Sequence, residues 1–325
     1  MSVSILFERS LASLSRYGLI LALIAVFLVF SAAAPTFLTP GNLQSILVNN
    51  FTLLAIVSIA MTLAVSAGGI DLSVGTAVDF ASFAFVLVVL AGQPVALALA
   101  AALLAGALVG AFNAVLISAI GVSPFLSTLG TLFIGRSIQQ LLTDGGNPVY
   151  LPPSGVPDAF RFLGHGTIVG LPVPLLIAAV VIASVAVLFS QTPFGRVVLS
   201  IGMQQSVVRY CGIGPGRHVA VTFILAGTIA AIAGVILTST VTVYIPSSGN
   251  AFLLNAIGAT FIGTTFSPLG RPNVVGTVLG VLLLSIVANG LLLTGMNFYW
   301  QQVATGSLIF AVLTFSFFNR KAVGT

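Results

Sequence analysis

The residues that could do chemistry in this chain are few enough to take one by one. It has five acidic residues, two histidines and one cysteine. Two of the acids, Asp71 and Asp79, fall within one short stretch, SAGGIDLSVGTAVDF, from Ser66 to Phe80. Carboxylates eight residues apart could hold a proton or a cation between helices. They could equally accept backbone N–H groups where a helix starts. The Gly68–Gly69 pair just before them favours a break in the chain, because glycine adopts the left-handed geometry that ends a helix. Asp71 is then expected to cap the following helix, with Ser73 in its first turn and Gly75 close behind. Asp79, placed on the same face of that helix, is expected to look into a protein interior or water. Two compatible readings of this helix-break motif stand: a structural cap, or a break that faces a substrate path or a moving joint.

The surroundings explain why acids are so scarce. Hydrophobic residues make up 58% of the 325 positions and charged ones 5%, with a mean hydropathy of +1.21. A soluble domain carries roughly 25% charged residues, since its surface meets water. Here the surface must mostly meet lipid. The apolar runs approach the ~20 residues that a transmembrane helix needs. Alternating barrel strands are not seen. The N-terminal run lacks a clear cleavage site and reads as a first span. Cys211, standing alone, excludes a disulfide within the chain and says nothing about compartment.

The expected fold class is therefore all-α, a polytopic membrane protein of about ten transmembrane helices. The spans are read at Tyr17–Ala34, Gln44–Val65, Gly75–Ala91, Val95–Ile120, Pro124–Leu142, Ile168–Phe189, Val219–Leu237, Ala251–Phe266, Asn273–Leu293 and Phe298–Phe318. Basic residues gather on the cytoplasmic side of membrane proteins. With both termini cytoplasmic, Arg9, Arg16, Arg196, Arg209, Arg217, Arg271, Arg320 and Lys321 lie inside, eight of the ten Lys and Arg. The whole chain, 1–325, reads as a single transmembrane domain with an external loop at about 143–167 and an internal loop at about 191–218. His165 and His218 then sit on opposite sides of the membrane. That leaves no His-rich metal site and no Ser-His-Asp triad, and neither HExxH nor a Walker A pattern occurs. No catalytic or metal residues are expected, and topology accounts for the positive charge without nucleic acid.

GALVGAFNAVLISAIGVSPF (Gly106–Phe125) resembles GVLLLSIVANGLLLTGMNFY (Gly280–Tyr299). Two halves of five spans each would insert with opposite topology, an inverted five-plus-five repeat of the kind found in transporters, with broken helices. Asn113 and Asn289 would correspond. These two, with Asn255, Gln301 and Gln302, are expected by default to hydrogen-bond between helices; contact with a polyhydroxylated solute is the sharper reading. Arg136 could snorkel to the headgroups or be a buried partner for Asp79 or a loop carbonyl.

Four stretches resemble the permease subunits of bacterial ATP-binding cassette importers for ribose, xylose, arabinose, galactose and autoinducer-2. They are GGIDLSVG (Gly68–Gly75), GAFNAVLI (Gly110–Ile117), SPFLSTLGTLFIGRS (Ser123–Ser137) and TPFGRVVLSIGMQQSVVRYCGI (Thr192–Ile213). The resemblance runs from about Gln44 to the C-terminus. It implies a permease of the bacterial inner membrane, paired with a second permease copy as a homodimer or heterodimer. An external solute-binding protein would deliver a sugar-like substrate, and cytoplasmic ATPases would drive transport. This chain would bind no cofactor; ATP-Mg would sit on the partner ATPase.

The resemblance also makes Gln204–Gly212 the segment that seats on that ATPase, with Gln204, Gln205, Arg209 and Gly212 its marked residues. Asp79, Asn113, Phe125, Asn255 and Asn289 are the candidates for the substrate pathway, Phe125 because sugars present an apolar ring face. Three stretches depart from the family pattern: GMQQSVVRY lacks the usual acid, FLLNAIGA has Leu253 and Asn255 in place of a Glu and an Asp, and GTTFSPLGRPNVVGT replaces a glycine-rich turn. The alternative class is a self-sufficient, ion-coupled secondary transporter that uses Asp71 and Asp79.

Overall fold

A computed structural model describes residues 3–152, 155–267 and 270–322. Its architecture is all-α, with four two-residue strands among the described residues. The helices are α1 (Val3–Ala33), α2 (Pro40–Ser45), α3 (Thr52–Ser66), α4 (Val74–Leu90), α5 (Val95–Ala114), α6 (Pro124–Leu142) and α7 (Asp158–His165). They continue with α8 (Val173–Gln191), α9 (Pro193–Tyr210), α10 (Pro215–Val241), α11 (Asn250–Thr264), α12 (Val274–Leu293) and α13 (Phe298–Ala322). The strands are β1 (Val149–Tyr150), β2 (Thr167–Ile168), β3 (Leu171–Pro172) and β4 (Val243–Tyr244). A π-helical turn at Ile46–Phe51 joins α2 to α3, and a second, Val115–Ile120, extends α5.

Each apolar segment expected from the sequence falls on a helix. Among the described residues, five stretches are long and apolar enough by length and composition to cross a membrane: Pro40–Ser66, Val95–Ile120, Val173–Gln191, Pro215–Val241 and Val274–Leu293. Shorter apolar helices are Tyr17–Ala33, Val74–Leu90 and Asn250–Thr264. The segment expected from Ile168 starts instead at Val173. Ile168 pairs in a β2–β3 hairpin whose turn places Val169 and Gly170 at positive φ, which no helix accepts. The loop at about 143–167, expected to be external, is more ordered than its Gly and Pro content suggests, since it contains β1 and α7.

The chain groups into two compact units: Met1–Ser58 with Asn255–Thr325, and Ile59–Leu254. In the first, Phe30, Phe37, Ile46, Ile286 and Val287 form a core between α1 and α12. Gly290 supplies the room, because a Cβ there would enter the Phe30 ring.

In the second unit α4, α5 and α10 pack closely. Gly106 and Gly110 of α5 lie against the backbone of α10 at Gly227 and Phe223; a Cβ on Gly106 would stand 2.5 Å from the Gly227 carbonyl oxygen. Lipid tails are as apolar as leucine, so helices in a bilayer gain by such backbone approach rather than by hiding from solvent. A further cluster of Phe85, Phe160, Leu151, Val235 and Tyr244 fastens the loop elements to α4 and α10. There Phe85 and Phe160 stack with centroids 5.1 Å apart, and β1 pairs with β4.

Candidate functional site

The break after α3 is built as its sequence suggests. Gly68 takes φ +87°, its N–H donates to the Val65 carbonyl at 3.0 Å, and Gly69 N–H donates to the Ala64 carbonyl at 3.1 Å. This six-to-one and five-to-two pair is the Schellman closure of a helix. Gly69 is needed for space, since a Cβ there would meet Pro124 Cβ at 2.5 Å.

Asp71 then acts one step earlier than expected. Helix α4 begins at Val74 with Ser73 as its cap residue, so Asp71 is not itself the N-cap and shares no helix face with Asp79. Its Oδ1 accepts Ser73 N–H at 2.8 Å and Ser73 Oγ–H at 2.6 Å. With its proton committed to Asp71, the Ser73 hydroxyl accepts from Asn113 Nδ2 at 2.7 Å. The Asn113 Oδ1 in turn accepts from Thr131 Oγ1 at 2.6 Å. A buried chain of polar groups therefore ties the break to α5 and α6. Such chains are stable only when each member finds a partner.

Asp79 serves a second break. Its Oδ1 accepts the Gly249 N–H at 2.7 Å and the Ser248 hydroxyl at 3.1 Å, immediately before α11 begins at Asn250. The segment leading there contains two non-glycine residues at positive φ, Thr242 (54°) and Ser247 (63°). Gln139 of α6 braces it: its Oε1 accepts Ser247 N–H at 2.8 Å and the Tyr244 hydroxyl at 3.2 Å.

The starts of α4 and α11 also touch backbone to backbone. A Cβ on Gly75 would lie 3.1 Å from the Gly249 carbonyl, and one on Gly249 would collide with the Gly75 carbonyl oxygen. Two helix N-termini thus converge, each carrying roughly half a positive charge. Asp71 serves the first and Asp79 the second. Arg136 takes no part in this arrangement, for its side chain is exposed on α6.

The remaining candidates are dispersed. Asn289 is buried in a reciprocal amide pair with Asn42, the two Nδ2–H···Oδ1 bonds measuring 3.0 and 3.1 Å. Phe125 stands 51% exposed at the start of α6, and Asn255 is half-buried on α11. Sequence reasoning missed Gln139, Ser248 and Gly249. One signal for Gln139 was present: Ser127, Thr131, Gly135 and Gln139 recur every four residues and form a buried stripe of small and polar groups on α6.

Between α8 and α10 lies α9, capped by Thr192, whose hydroxyl oxygen accepts Gly195 N–H at 3.0 Å. Gln204 has φ −161° and ψ 99° and divides α9 in two. The expected helix over 204–209 therefore starts after Gln204, which is the hinge rather than a member. Gly212, at φ +77°, ends the short second piece. Gln204, Gln205, Arg209, Tyr210 and Cys211 are exposed, Tyr210 at 89%. Ile201 and Val208 root the segment, in a cluster with Ala64, Ala114, Val219 and Phe223.

The family described as "branched-chain amino acid transport system / permease component" matches residues 43–313. The ribose import permease protein of Bacillus subtilis is 32% identical over 296 residues, 91% of this chain and 91% of that protein. An autoinducer 2 import system permease protein of Yersinia enterocolitica is 32% identical over 302 residues, covering 92% and 91%. The D-allose transport system permease protein of Escherichia coli is 30% identical over 300 residues, covering 92% and 90%. No solved structure matches the chain. The apolar helices and these relatives together make it a multi-pass helical membrane protein.

Proposed function

The chain belongs to this family of importer permease components, and from that premise we propose that it is the membrane subunit of an ATP-binding cassette importer for a sugar or sugar-like solute. Ribose, allose and autoinducer 2 are what its relatives are named for. Both termini face the cytoplasm of the bacterial inner membrane, and about ten helices cross it. The chain itself catalyses no reaction and binds no cofactor; ATP-Mg is hydrolysed on a partner ATPase. A binding protein hands over the solute outside, and a second permease completes the pathway. An inverted repeat is supported by Gly121 (φ +89°) and Gly295 (φ +80°), which close the matching ends of α5 and α12.

The observation that carries this reading is the exposed, hinged second piece of α9. Val207 and Tyr210 on that piece, with Met203 and Ile213 flanking it, leave large apolar surface uncovered, among residues whose charges are only basic. An apolar, basic knob between two membrane-crossing helices fits insertion into a cleft on an ATPase. The commitments of the acids weigh against an ion-coupled transporter, since Asp71 and Asp79 are engaged in holding helix starts. Among the pathway candidates, Phe125 and Asn255 keep accessible surface for a solute, while Asp79 shapes the path through the backbone it holds and Asn113 and Asn289 through the side chains they pair with.

Arg209→Glu tests the assignment. It should abolish solute uptake and recovery of the ATPase while leaving membrane insertion intact; normal uptake by this variant would sink it.

A further inference from the structure

Gly202 lies two residues before the α9 hinge, and its backbone rests directly on the end of α3. A Cβ on Gly202 would run into the Ser66 carbonyl oxygen, stand 3.0 Å from the carbonyl carbon and 3.3 Å from Gly68 N. From the other side, a Cβ on Gly68 would lie 3.5 Å from the Gly202 Cα. The turn that α9 touches is the one that opens the helix break, and its next residue touches α6 and α10. A Cβ on Gly69 would meet Pro124 Cβ and Cγ at 2.5 and 2.8 Å and Phe223 Cζ at 3.4 Å. The Thr128 hydroxyl of α6 lies 3.2 Å from the Ile70 carbonyl oxygen, sharing its proton with the Pro124 carbonyl at 2.9 Å.

We propose that the Gly202–Ser66/Gly68 contact is the joint through which movement of the docked α9 segment reaches the helix break and the start of α6, and that Gly202 is a positioning residue for transport. This rests on the importer reading above. The physical case is one of stiffness. A side-chain contact can absorb a displacement by changing rotamer, whereas backbone on backbone has no such slack. Packed elements of this kind shift between discrete arrangements rather than deform continuously.

The placement is also economical. Ile201 and Val208 root α9 on either side of the Gln204 hinge, so a push on the exposed piece turns about residues that flank the contact. On the far side of the turn, Asp71, Ser73, Asn113 and Thr131 carry the same displacement onward to α5 and α6.

The test uses the complete importer in proteoliposomes, with uptake and ATP hydrolysis measured per assembled complex. Gly202→Ala should leave the ATPase bound and hydrolysing but raise the ATP spent per solute moved by at least roughly tenfold, the scale of ordinary coupling between sites. Ser200→Ala, exposed on the same helix, should leave that ratio unchanged. Should Gly202→Ala fail to assemble, Gly69→Ala probes the next link. It should uncouple in the same way, and Pro124→Gly, which removes the ring it strikes, should restore part of the coupling.

A normal ratio in Gly202→Ala, or less complex of unchanged ratio, would overturn the joint, as would a normal ratio in Gly69→Ala. Those results leave the importer reading standing. A wild-type chain that recruits no ATPase would overturn the importer reading and the joint together.

Discussion

Removing Asp79 should loosen one particular stretch of chain, residues 245–254, and leave the first break intact. The carboxylate holds the Gly249 N–H and the Ser248 hydroxyl through a single oxygen. The Gly249 donor is buried, whereas Ser248 is half-buried. Leaving a buried donor unpaired costs about 1–3 kcal/mol and losing an accessible bond about 1 kcal/mol, so Asp79→Ala should lose on the order of 2–4 kcal/mol locally, mostly at Gly249. Asp79→Asn keeps an acceptor of the same shape without the charge assistance, which roughly doubles such bonds; its loss should be about 1–2 kcal/mol.

Hydrogen exchange followed by mass spectrometry reads these costs where they arise. Exchange of a peptide covering 245–254 should quicken by roughly tenfold per 1.4 kcal/mol of lost protection, modestly in Asp79→Asn and by more than about one order of magnitude in Asp79→Ala. Asp71→Asn should instead quicken the 68–76 peptide, because its bonds are to Ser73. The reasoning fails if Asp79→Ala leaves the 245–254 peptide protected, or if both substitutions loosen both peptides alike.

Two other expectations follow from side chains away from that junction. The reciprocal Asn42–Asn289 pair should show a coupling of about 1 kcal/mol in a double-mutant cycle of detergent unfolding, within the range measured for polar pairs between membrane helices; additive single substitutions would contradict it. Cys211, the one cysteine and an exposed one, should react, in the chain produced without its partner subunits, with a membrane-impermeant maleimide in inside-out vesicles and not in right-side-out ones. The reverse pattern would invert the proposed topology.

What could be read from the sequence was local. Two glycines after an apolar run announce a helix end, and Gly68 adopts the left-handed turn that such a pair permits. An acid shortly afterwards announces a helix start, although only the structure shows that Asp71 works through the Ser73 hydroxyl. The task of Asp79 was out of reach. Its partners lie 169 and 170 residues away, and SSGN before α11 looks like any polar turn. Gln204 was equally hidden, since glutamine is an ordinary helix former and nothing at that position warns of a hinge. Gly202 reads as an isolated glycine in a helix until the Ser66 carbonyl is found against it. Apolar residues on every face also blur span boundaries, as at Ile168, where a positive-φ turn decides what hydropathy cannot.

The account rests most heavily on an ATPase seated on the exposed piece of α9, and one measurement addresses this directly. The tagged chain would be recovered in gentle detergent from native membranes after mild crosslinking, with its partners identified by mass spectrometry. The importer reading predicts a cytoplasmic ATPase crosslinked within 203–213 and an external solute-binding protein in the same preparation. A chain recovered alone from membranes in which it is demonstrably active would contradict that reading.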